Sequence, residues 1–67
     1  MPTPVFTHGE RVVITDSIDD FYNGKNGVII DDEFRNYIGD YVYVVKLTEG
    51  YEIEFTRDEL TAEEDYE

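Results

Sequence analysis

Nucleophilic chemistry most often falls to histidine, serine and cysteine, and this chain holds a single histidine, His8, a single serine, Ser17, and no cysteine. A catalytic nucleophile needs a base beside it and a third group that orients the base. His8 lies among the prolines of MPTPVFTH and Ser17 in the turn-rich DSIDDFYNGKNG. Neither segment has the periodicity of an element that would hold one side chain against the other. Carboxylate pairs could do acid–base work. With seventeen acidic residues in 67, though, such pairs arise by chance, and little length is left to build a substrate cleft. The expectation is that the chain is not an enzyme.

The acids cluster at Asp19-Asp20, at Asp31-Asp32-Glu33 and near the end at Glu63, Glu64 and Asp65. Calcium loops space oxygen ligands at alternate positions around a bend glycine, and none of these clusters follows that spacing. No metal and no cofactor is expected. The clusters read as an acidic surface, with the last of them in a solvated tail. Six tyrosines offer another chemistry, since aromatic loops can hold a cation. Tyr22, Tyr37 and Tyr41 lie in or beside the longest loops and are the candidates for an aromatic recognition site.

Several elements must position these groups. Sixty-seven residues allow one domain and one core, and a domain this small gains no help here from disulfides. Residues 1–8 form an extended lead-in, with Val5 and Phe6 placed on the body of the fold. The run Glu10 to Thr15 alternates, with Val12 and Ile14 facing in. Turn residues follow to Gly27, with Asn23-Gly24 and Asn26-Gly27 supplying positive φ. Ile18 and Phe21 in that loop are expected to fold back over an open end of the core. Val28-Ile29-Ile30 starts a second strand that ends at Asp31-Asp32-Glu33, with Val28 and Ile30 inward. Tyr41 to Leu47 is the strongest strand, and Lys46 sets its facing: Tyr43, Val45 and Leu47 point in. After the reversal at Thr48-Glu49-Gly50, Tyr51, Ile53 and Phe55 alternate with Glu52 and Glu54. Residues 57–60 read as one helical turn, with Leu60 plugging the core. Residues 61–67 form an acidic tail that pairs briefly as a fifth strand and then frays.

Gly9-x-Arg11-Val12-x-Ile14, Gly24-x-x-Gly27-Val28, Tyr43-Val44-Val45-Lys46-Leu47, Gly50-Tyr51-x-Ile53-x-Phe55 and Asp58-Glu59-Leu60 together resemble the small SH3-like barrels. That group includes KOW-type domains and the photosystem I reaction-centre subunit IV. The resemblance covers residues 9–60 and implies an all-β, five-stranded SH3-like barrel with a short helical turn near residues 57–60. It implies no binding residues, because RNA- and ribosome-binding KOW-type domains are generally basic and this chain is acidic.

Seventeen acids against five bases give a formal charge of −12. That charge argues against direct nucleic-acid binding, which sets Lys and Arg opposite phosphates. No run approaches the roughly 20 apolar residues of a membrane helix, and no basic region precedes an apolar one near Met1. No membrane partner and a cytoplasmic location are therefore expected. The facing above leaves Val13, Ile29, Val42 and Val44 as an outward apolar stripe, which suits a partner interface. The leading expectation is a protein-interaction module that binds a basic protein surface or associates with itself. Two others stand beside it. One is a phage-type or mobile-element mimic whose carboxylates imitate phosphates and block a nucleic-acid-binding protein. The other is a structural subunit from a salt-adapted organism.

Overall fold

A computed structural model describes residues 3–66 of the chain. Five antiparallel strands make one sheet: β1 (Arg11–Ile14), β2 (Asn26–Arg35), β3 (Asp40–Leu47), β4 (Glu52–Thr56) and β5 (Leu60–Ala62). Their order is β4-β3-β2-β1-β5, so β4 and β5 are the edges. The only helical segments among the described residues are single 3₁₀ turns at Asp20–Tyr22, Arg57–Glu59 and Glu63–Asp65. The class is all-β.

The inner face carries the core: Phe6, Val12, Ile14, Ile29, Tyr43, Val45, Leu47, Phe55 and Leu60, with Tyr22, Tyr41, Ile53 and Ala62 packed against it. Strand alternation accounts for β1, β3 and β4, where every second residue enters this cluster. In the lead-in, Phe6 meets the Tyr43 ring edge-on at 5.2 Å. The Tyr43 hydroxyl accepts the Val5 N–H at 2.9 Å, while the Val5 side chain itself stays exposed rather than tucked on the sheet. That hydroxyl bond lets a fully buried tyrosine sit at the centre of the core without an unmet polar group. Between β4 and β5, the Glu59 carboxylate accepts from the Thr56 N–H at 2.9 Å and from its hydroxyl at 3.1 Å. This fixes the 3₁₀ turn that delivers Leu60 to the core.

The second strand faces the other way from the sequence expectation. Ile29 is fully buried in the core, Val28 is half-buried, and Ile30 is exposed. The cause lies one residue earlier. β2 begins at Asn26, and Gly27 occupies an inward position opposite Leu47. A Cβ on Gly27 would lie 2.5 Å from the Lys46 carbonyl oxygen and 2.8 Å from Val45. Gly27 is thus the inward residue of a close strand pair, not a positive-φ turn residue. Gly24, at φ +90°, does take the left-handed turn position. Parity then runs Gly27, Ile29, and a bulge between Ile29 and Asp31 absorbs Ile30. Pairing continues past the acids to Arg35–Asp40, so Asp31, Asp32 and Glu33 lie within a strand rather than ending one.

Candidate interaction surface

The proposed stripe of Val13, Ile29, Val42 and Val44 does not exist as an exposed surface. Ile29 belongs to the core. Val13 and Val42 lie outside the core cluster, yet they are only 3% and 5% exposed, and Val44 is half-buried. Arg35 explains the cover over Val42. Its Nε donates to Glu33 on its own strand at 3.2 Å, and its Nη2 donates to Glu54 on β4 at 2.9 Å. With β3 lying between β2 and β4, that reach carries the guanidinium across the outer face of β3, where Val42 and Val44 sit. A third bond from Nη1 to the Tyr37 hydroxyl, at 3.2 Å, completes the set. The Tyr37 bond, and then the Glu33 bond, raise the Arg35 pKa above the ordinary guanidinium value. Arginine's planar fork suits this three-way bridge. The signal in the sequence is Glu33-x-Arg35, two residues apart on one face of a strand.

The three candidate tyrosines are not brought into one aromatic site. Tyr22 packs edge-on against Phe55 at 5.8 Å and is half-buried. Tyr41 packs against Phe34 at 5.5 Å. Tyr37 is exposed on the β2–β3 turn, where it is bonded to Arg35.

The β1–β2 loop departs most from expectation. Ile18 is fully exposed and Phe21 largely so; neither folds back over the core. Tyr22 makes the core contact instead, and Phe21 meets the Tyr22 ring edge-on at 5.2 Å while staying exposed. The loop is well tied down. The Asn23 side chain accepts the Ser17 N–H at 2.7 Å, and Asp19 caps the 3₁₀ turn by accepting from the Phe21 N–H at 3.1 Å. Lys25 lies 4.7 Å from the centre of the Phe21 ring and 3.1 Å from Glu49 on the β3–β4 turn. Asp16, Asp19 and Asp20 are exposed around Ile18 and Phe21 in sequence. Here two apolar side chains stand on a braced loop among carboxylates. The signal was the pair of apolar residues within an Asp-rich turn.

The acids are distributed unevenly. Arg11 pairs with Glu63 at 4.0 Å, Lys25 with Glu49, Arg35 with Glu33 and Glu54, and Arg57 with Asp40 at 3.5 Å. His8 Nε2 lies 3.1 Å from Asp32 and 4.0 Å from Asp31. Asp31 and Asp32 thus both stand within 4.0 Å of the one His8 nitrogen. Asp16, Asp19, Asp20, Glu52, Asp58, Glu64 and Asp65 are exposed and make no ion pair among the described residues. No described helix is long and apolar enough to cross a membrane. No family model, curated protein or solved structure matches this chain.

Proposed function

We propose that this chain is a non-catalytic interaction module that binds a basic protein surface. One observation carries the reading. All three arginines and one of the two lysines already pair with acids of the same chain, while a surplus of carboxylates stands exposed and unpaired. An uncompensated negative surface attracts and orients a positive one over several ångströms. Ile18 and Phe21 supply the apolar contact that charge alone lacks. Anchors of this kind dominate binding energy when a partner pocket encloses them. The strand order and the single 3₁₀ turn between β4 and β5 support placing the fold among the SH3-like barrels, a scaffold on which loops commonly do the binding.

The test is capture on the immobilised protein from a lysate of the organism that encodes it, at low and at high salt. The expected result is a basic protein retained at low salt and released as salt rises. Retention of only neutral or acidic proteins would contradict the reading. A captured protein that loses bound DNA or RNA in the process would make the binding a mimicry of nucleic acid.

A further inference from the structure

The exposed edge of β4 offers a second, more specific contact. The Leu47 N–H donates to the Tyr51 carbonyl at 2.8 Å. Antiparallel alternation from that bond turns the backbone groups of Ile53 and Phe55 toward β3 and those of Glu52 and Glu54 away from it. Among the described residues no strand pairs with this outer side. Glu52 and Glu54 belong to this edge strand, Glu52 exposed and unpaired among the described residues and Glu54 bonded to Arg35, and exposed Asp58 lies on the 3₁₀ turn that follows. Tyr22, in contact with Phe55, brings the braced β1–β2 loop beside the same strand.

Building on the function proposed above, we infer that β4 takes up an extended, lysine- or arginine-rich segment of the protein partner as an added strand. Free N–H and C=O groups supply main-chain bonds to any extended chain. The uncompensated carboxylates of Glu52 and Asp58 select which chain. A second copy of this protein is disfavoured, because antiparallel β4–β4 pairing would set Glu52 and Glu54 against the same acids of its twin. The arrangement that blocks self-pairing is the one that suits a basic strand.

The probe is a short unstructured peptide of alternating lysine and valine, titrated into isotope-labelled protein at low salt, with a glutamate–valine peptide as control. The amides of Glu52 and Glu54 are expected to exchange with solvent about tenfold more slowly or better when the peptide saturates. Those of Ile53 and Phe55, already bonded to β3, should change little. Glu52→Pro removes an outward N–H without removing a bond to β3 and is expected to weaken the peptide by about tenfold, with Glu52→Gln weakening it less. If Glu52→Pro unfolds the strand, the exchange data on the parent decide alone. Peptide binding with unchanged exchange at Glu52 and Glu54 overturns strand addition and leaves the basic-partner reading intact. Failure of both this peptide and polylysine to bind overturns both. Protection of the same amides on concentrating the protein alone would make the occupant a second copy and also overturn the inference.

Discussion

Val13 and Val42 do not belong to the core cluster, yet each is nearly as well covered as the residues that do. A valine lost to a polar residue at such a position forfeits packing and leaves a hydroxyl to satisfy. Val13→Ser and Val42→Ser are each expected to cost about 2 kcal/mol in denaturant titration. Val44→Ser, at a half-buried position, should cost clearly less. Arg35 belongs to the same group. Arg35→Ala removes the bridge between β2 and β4 and uncovers Val42, so it should destabilise more than Arg57→Ala, which loses a single, longer ion pair from a more exposed arginine. Arg35→Lys keeps the charge without the fork, and its stability should fall between those of the parent and Arg35→Ala.

At the scale of elements, β3 was legible because one charged residue, Lys46, fixes the parity of an otherwise apolar run. β2 was not legible. Its inward sequence begins with Gly27, which has no side chain to announce a face, and the bulge at Ile30 hides the phase beyond it. Reading the strand from Val28 therefore inverts Val28, Ile29 and Ile30, as a one-residue slip does up to the bulge. The same error placed Ile29 in an outer stripe. Gly27→Ala tests this packing. The new methyl would press on the Lys46 carbonyl, which is backbone and cannot swing aside, so a loss of about 1–3 kcal/mol is expected. A neutral result would mean that β2 and β3 are less closely paired at this point. The β1–β2 loop was half legible. Its turn chemistry was plain, but which of Ile18, Phe21 and Tyr22 would face the core depends on the reach of Tyr22 to Phe55, a tertiary contact with no local pattern.

For the whole molecule, the charge of −12 sets two expectations. Four of the five lysine and arginine residues are already paired, so the remaining carboxylates repel one another across a small body. The melting temperature should rise from low to moderate salt as that repulsion is screened. A flat response would mean the exposed acids lie too far apart to interact. The same surplus should accelerate encounter with a basic partner, while Ile18 and Phe21 hold it in place once docked. The most direct check is calorimetric titration of the captured partner with the parent protein and with the double variant Ile18→Ser, Phe21→Ser. Both positions are exposed, so the fold should survive; the expected result is affinity weakened by about thirtyfold, the loss of roughly 2 kcal/mol typical of an interface anchor. Unchanged affinity in a folded double variant would contradict the assignment of this loop as the docking surface.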